Sequence, residues 1–355
     1  MKSHGRYDLV IVGGGIMGAW ALYLSVGQHP EWRIALIEQS TIGSGASGHS
    51  AGVSLPLGRT PSQRDLAARS SALYAEAGSS LPFRTSQATA CWIVDSGSEE
   101  SVRESVVGSD LIEPSPSQRV LIKHALPEFR LGHSEAILWG GTARSHEPLA
   151  TARSLVDHCR GSACVICWEG VGVGGIFPNE DGADLLLEDG RSVSAARVIV
   201  AVGPWLPERL GTIAARMRNV RIKKVVALHI EAAPPADAPA IFIPSSDAYL
   251  MPLPRRRQWL FSFRSEQWDC EPKVEQTRID AFDEITAART LERYVPGLMA
   301  SCRGGRAFCD AYAEDGAPML LRDPVAKQVV FVGAGAGAGF RMAPGLAEKA
   351  LELVS

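Results

Sequence analysis

The stretch YDLVIVGGGIMGAWALYLS, residues 7–25, decides the fold. Residues 7–12 are apolar and largely β-branched, the composition of a buried strand. Gly13-Gly14-Gly15-Ile16-Met17-Gly18 follows, and Ala19, Leu22, Tyr23 and Val26 then recur at helical spacing. A GxGxxG alone is a weak signal, but between a strand and a helix it is a dinucleotide-binding turn. Gly13 permits the tight turn, Gly15 lets backbone N–H groups approach a pyrophosphate, and Gly18 lets helix and strand pack closely. A second strand, WRIALIE, ends in Glu38, 20 residues after Gly18. A carboxylate there can accept hydrogen bonds from a ribose diol. NAD and FAD sites share these marks, so the turn alone does not choose between them.

The bulk composition narrows the class. The chain has 355 residues, 46% hydrophobic and 21% charged, an ordinary globular balance. At roughly 100–200 residues per domain, two domains are expected. A net charge of −3 supplies no basic field for nucleic acid. The run RRR at 255–257 reads as a solvated turn between two strands. No apolar run approaches the roughly 18 residues of a membrane span, and the opening MKSHGRYDLV has no signal-peptide core. A cytoplasmic protein is expected. The 7 scattered cysteines fit reduced thiols. Cys164 and Cys167 form a CxxC, but positions three apart on a strand point to opposite faces, so no metal site is expected.

Directly after Glu38, QSTIGSGASGHSAGV (39–53) is rich in Gly, Ser and Ala and has no helix or strand period. Such a loop suits backbone passing close to a large ligand. Together with the turn it resembles the D-amino-acid-oxidase-like family of FAD enzymes, which carry a GASG-x-x-AG loop against the flavin. That family includes glycine oxidase, sarcosine oxidase and the dimethylglycine and sarcosine dehydrogenases. Two further segments are similar to the family's markers. In AARVIVAVGPWLPERLG (195–211), Ala201, Gly203 and Trp205 match a strand ending in AxGxW before a helix. In FVGAGAGAGFRMAPG (331–345), Gly335, Gly337, Gly339, Phe340, Arg341, Ala343 and Pro344 match a strand, a GxxGxGF-K/R-xAP turn and a helix.

The resemblance implies an FAD site formed by Gly13, Gly15, Ile16, Met17, Gly18, Glu38, Gln39, Ser44, Ala46, Ser47, His49, Val173, Gly203, Gly337, Gly339, Phe340 and Arg341. It implies backbone of 333–339 lying against the isoalloxazine ring, Val173 near the adenine, and Arg341 at the N1–C2=O edge, where reduction deposits negative charge. The implied activity is oxidation of the C–N bond of an amino acid or N-alkyl amino acid by hydride transfer to flavin N5. A 2-hydroxy-acid dehydrogenase or a non-catalytic flavoprotein subunit on the same scaffold remain alternatives. A substrate carboxylate needs a cation, for which Arg341, Arg59 and Arg264 are candidates, and Tyr249 stands where family members often present an aromatic. His49 matches the histidine that dimethylglycine dehydrogenases bond to the flavin, but Gly48 replaces the tryptophan before it, and non-covalent FAD is expected. Cys309 is the counterpart candidate for a cysteine linkage.

The expected architecture is α/β: a discontinuous Rossmann-like FAD-binding domain (1–80, 142–215 and 305–355) and an α+β substrate domain (81–141 and 216–304). The second is built on an antiparallel sheet from ATACWIVD, IKKVVALHIEA, PAIFIP, AYLMPLP and QWLFSFRS. Thr60 and Pro61 open a helix with Leu66, Leu73, Tyr74 and Ala77 on one face.

Overall fold

The computed structural model describes residues 3–205, 220–273 and 277–355. The first glycine turn leaves a six-stranded sheet ordered Met319–Arg322, Val329–Gly333, Val198–Val200, Leu9–Val12, Ile34–Glu38 and Val165–Glu169, parallel except for its first pair. Its inner strands are continuous apolar runs because both faces are covered. Alternation sorts their side chains. Leu9, Ile11, Leu36, Ile199 and Val330 meet the helices Ile16–Gln28, Pro61–Gly78, Pro148–Cys159 and Gly339–Val354. Val10, Val12, Ile37, Val200 and Phe331 meet a four-stranded sheet of Ser3–Tyr7, Ser192–Ala195, Gly182–Leu187 and Val173–Asn179. This is the expected Rossmann-like α/β layer. The strand expected over 7–12 is in fact two, because Asp8 interrupts it and accepts the Arg33 N–H at 2.8 Å.

The closing helix, Gly339–Val354, carries Pro344 in its interior. Proline has no N–H for the carbonyl four residues back, which here is that of Phe340. Tyr74 supplies the missing donor: its hydroxyl donates to the Phe340 carbonyl at 2.7 Å, and the two rings stack with centroids 5.3 Å apart. The next residue, Gly345, donates its N–H to Ser70 Oγ at 3.1 Å and lies too close to Leu66 for a Cβ. The Pro61–Gly78 helix that brings Tyr74 and Ser70 is set by a capping box between Thr60 and Gln63. The start of the closing helix, and the glycine turn before it, are held by these bonds.

The second layer is an eight-stranded sheet ordered Cys302–Ala313, Val220–Ile230, Gln258–Phe263, Ala248–Leu253, Ala240–Ile243, Thr85–Asp95, Glu135–His146 and Val53–Ser54. It is antiparallel as expected, except that Ala240–Ile243 runs parallel to Thr85–Asp95. Ile122, Ala287 and Leu291, from the Pro116–Ala125 and Ala281–Tyr294 helices, together with Leu126 just after the first, cover one face over Val226, Leu228 and Phe261. The expected division points at 142 and 305 fall inside strands of this sheet. Each strand continues across its point with a local register shift, in the ladders to Thr85–Asp95 and Val220–Ile230 respectively. The division at 215/216 and the helix expected after Trp205 lie outside the described residues. Two successive hairpins use the same turn: Pro244–Ser246 ends at Asp247 (φ 46°) and Pro254–Arg256 at Arg257 (φ 54°). The RRR run is the second of these, tied down by Arg256 on Glu147 at 2.6 Å. Among the described residues, no helix is long and apolar enough to cross a membrane.

Tyr74→Phe keeps the ring stack and removes the donor, leaving the buried Phe340 carbonyl without a bond. The expected cost is about 1–3 kcal/mol of unfolding free energy, read from urea denaturation. A midpoint equal to the parent's would mean that another group satisfies that carbonyl.

Candidate active site

Four neighbouring strands of the six-stranded sheet, Val329–Gly333, Val198–Val200, Leu9–Val12 and Ile34–Glu38, run parallel and end on one edge. The motif segments at 334–339, 201–205, 13–18 and 38–39 all begin at that edge. Ligands of open α/β sheets bind in the crevice outside the carboxyl ends of the strands. A cleft of about 1930 Å³ opens there toward the uncovered face of the eight-stranded sheet. Small-molecule pockets span roughly 300–1,000 Å³, so this one has room for a dinucleotide and a substrate together. Every expected cofactor and substrate position lines it except Gly18 and His49.

The glycines divide into two kinds. A Cβ on Gly18 would collide with the Gly13 carbonyl, and one on Gly13 with the Ala201 carbonyl, so both serve close packing of the fold itself. Gly15 is different. Its backbone is ordinary for any residue (φ −69°, ψ −176°), and the nearest atom to an added Cβ is Ser47 Oγ at 3.3 Å. Ser47 accepts the Ile16 N–H at 2.9 Å and so satisfies one of the first amides of the helix. Glu38 accepts from Gly14 N at 2.7 Å and Ser40 N at 2.8 Å; burial raises its pKa against those bonds. The Trp205 ring lies 2.9 Å from where a Cβ on Gly45 would stand, so the two marker segments pack on each other.

In the 333–339 turn, Ala334 (φ 48°) and Ala336 (φ 49°) take left-handed backbone, and Gly335 packs on the backbone of Gly339. Asp310, on the facing sheet, accepts the Gly337 N–H at 2.9 Å and the Ala311 N–H at 2.9 Å; burial raises its pKa and these bonds oppose the rise. The Phe340 ring packs between Tyr74 and His146. Burial and, after it, the neighbouring Arg306 lower the pKa of His49. Cys309 sits opposite Lys224 in register, on the face turned to the Ala281–Tyr294 helix.

Charged groups line the cleft from both the helix layer and the eight-stranded sheet. Arg341 Nε is buried without a hydrogen-bond partner among the described residues. Burial lowers the pKa of the guanidinium, while Asp247 and Tyr249 act to raise it. Tyr249 has its pKa pushed up to about 12 by burial. Arg59 is exposed on the cleft rim, and Arg264 is exposed and 3.9 Å from Asp247. Sequence reasoning missed three residues here: Asp247, Tyr312 and Lys223. Lys223 and Lys224 are adjacent on Val220–Ile230 and therefore point to opposite faces. Lys224 reaches Asp283 at 2.6 Å and Asp280 at 2.9 Å; burial opposes its charge, but these bonds outweigh it and raise its pKa. Lys223 lines the cleft with its ammonium 5.0 Å from the Trp268 ring centroid and 5.2 Å from that of Tyr312.

No curated protein sequence matches the chain. Its fold is similar to that of glycine oxidase from Geobacillus kaustophilus, at 20% identity over 98% of this chain and 94% of that one, with a TM-score of 0.78. L-proline dehydrogenase from P. horikoshii is similar at 17% identity over 99% and 93%, with a TM-score of 0.82. L-alpha-glycerophosphate oxidase from Mycoplasma pneumoniae, with FAD bound, is similar at 14% identity over 99% and 95%, with a TM-score of 0.74. At these identities the likeness is one of fold. The model of the DAO family, FAD dependent oxidoreductase, matches residues 8–353. Nearly the whole chain is covered, and the protein belongs to this family of FAD-dependent oxidoreductases.

Proposed function

We propose that the enzyme oxidises the C–N bond of an amino acid or N-alkyl amino acid whose carboxylate is held by Arg341. The observation that carries this reading is the buried, unpartnered Arg341 Nε on the cleft wall. A buried cation without a counter-ion is costly, and an anionic ligand removes that cost. The neighbours named in two solved structures of the same fold, glycine oxidase and L-proline dehydrogenase, agree with an amino-acid substrate.

The residues fit FAD on the structure's own terms. Gly15 leaves open the space in front of the helix N-terminus, where the dipole and free amides favour a pyrophosphate. Glu38 and Gln39 line the end suited to the ribose, and the 334–339 backbone forms the wall suited to the ring system. Bound along this edge, FAD supplies the acceptor for the hydride leaving the substrate Cα. The chain's own residues position and neutralise. Arg341 binds and orients the carboxylate, Asp247 offers an acceptor to the amino group, and Tyr249 and Tyr312 wall the site against water. Among the described residues His49 does not line the cleft and Cys309 faces away from it, which supports non-covalent FAD. We also propose two cooperating units, one around the six-stranded sheet and one around the eight-stranded sheet, with 302–313 in the second.

Anaerobic mixing tests the reaction: amino acids or their N-alkyl forms should bleach the flavin absorbance. Bleaching by 2-hydroxy acids alone would replace the reading with C–O oxidation. Acid precipitation should leave all the flavin in the supernatant; yellow colour retained on the pellet would show a covalent bond.

Gly15→Val should fold as the parent does, since its backbone angles suit valine, yet purify colourless. Circular dichroism and flavin absorbance read the two effects separately, and a fully yellow variant would overturn the placement of the pyrophosphate.

Arg341→Met should lower both the flavin midpoint potential and the affinity for a carboxylate inhibitor. A charge-assisted hydrogen bond contributes about 1.5–3 kcal/mol, so affinity should fall about tenfold to a hundredfold. Arg341→Lys should lose less, because charge survives while the bidentate fork does not. Unchanged potential and affinity in Arg341→Met would remove Arg341 from the site.

A further inference from the structure

We infer that Lys223 is a second anion-binding group, and that the substrate is an amino acid whose side chain ends in another anion, a carboxylate of the aspartate or glutamate type. The inference rests on the reading of Arg341 as the group that holds the α-carboxylate.

The two adjacent lysines make the contrast. On the helix side, Lys224 is buried and neutralised by two aspartates at 2.6 and 2.9 Å. On the cleft side, Lys223 is buried to the same degree, 5% exposed, yet has no hydrogen bond or ion pair among the described residues. Its neighbours are the faces of Trp268 and Tyr312. Cation–π contacts offset only part of the penalty for burying an ion. The obvious counter-ion is declined: Asp310 stands directly opposite Lys223 in the ladder, but its carboxylate is occupied by the Gly337 and Ala311 amides. Asp247 and Glu266 act on Lys223 only from beyond ion-pair distance, and Arg264 opposes them. An ammonium left unpaired on a cleft wall is provided for an anion that arrives with the ligand.

That anion is not the cofactor's pyrophosphate, which belongs at Gly15 on the opposite wall. Tyr312 ties Lys223 to the substrate end. Its ring lies beside the Lys223 ammonium, and its hydroxyl is 3.2 Å from where a Cβ on Gly337 would stand, in the turn that leads into Arg341. Both cations line the one cleft, with Tyr312 beside Lys223 and against the turn that leads into Arg341, an arrangement that suits a ligand with two carboxylates.

The test uses the FAD-loaded protein and reads ligand binding from the flavin absorbance difference spectrum, with acetate and propionate against succinate and glutarate. The better dicarboxylate should bind at least about tenfold tighter than the monocarboxylates, the margin of one charge-assisted hydrogen bond. In Lys223→Gln the margin should vanish while monocarboxylate affinity stays, which also shows that the variant is folded. Lys223→Arg should restore part of it. Equal affinity for both ligand classes in the parent protein, or a margin that survives in Lys223→Gln, overturns the site. If no carboxylate perturbs the flavin at all, the Arg341 reading fails first and the Lys223 site falls with it.

Discussion

The site depends on a steric constraint at one edge of the parallel sheet. Where Leu9–Val12, Val198–Val200 and Val329–Gly333 end side by side, three backbone turns must leave room for a ligand and still pack on one another. The close approach of Gly18 to the Gly13 carbonyl seats the first helix on its strand. The approach of Gly13 to the Ala201 carbonyl brings the second turn up against the first. With that framework set, Gly15 and Gly203 are free to present bare backbone to the cleft. Glycine here does two separate jobs, internal packing and external access, and the clash of an added Cβ tells them apart.

The third turn is secured differently. Alanines at 334 and 336 in left-handed backbone carry a conformational cost that an isolated loop would relax. It is retained because both ends are held. Asp310 grips the Gly337 amide from the facing sheet, while Tyr74 takes the Phe340 carbonyl that Pro344 leaves open. The proline stops the last helix from satisfying its own first turn, so the turn is locked to a different helix instead. Arg341, one residue beyond Phe340, is thereby delivered to the cleft wall in a fixed position.

Much of this was legible in the sequence, and the reasons are physical. Strand–glycine–helix order fixes a dinucleotide edge, and three such segments converge on one ligand when their strands are neighbours in one parallel sheet. Five strands of the eight-stranded sheet were legible as one antiparallel sheet, but Val53–Ser54, Glu135–His146 and Cys302–Ala313 were not read as part of it. Glu135–His146 and Cys302–Ala313 gain their place from ladders to distant partners, which no local pattern shows. Asp247 was hidden because its role comes from a left-handed turn residue next to a cleft. Lys223 was hidden for a subtler reason. A KK pair in a strand announces one lysine on each face, but not which face carries the aspartates.

That last distinction shapes the chemistry of the enzyme. The helix face of the eight-stranded sheet balances its charge internally, with Lys224 against Asp280 and Asp283. The cleft face does not. Arg341 and Lys223 are left without ion-pair partners among the described residues, and Asp310 is diverted to holding backbone. On the amino-acid reading proposed above, a site that transfers a hydride needs no paired acid and base of its own, but the substrate must be held still and its anions met. Unpaired cations on two walls of one cleft, Lys223 from the eight-stranded sheet and Arg341 from the closing helix beside the bare backbone turn, fit that need.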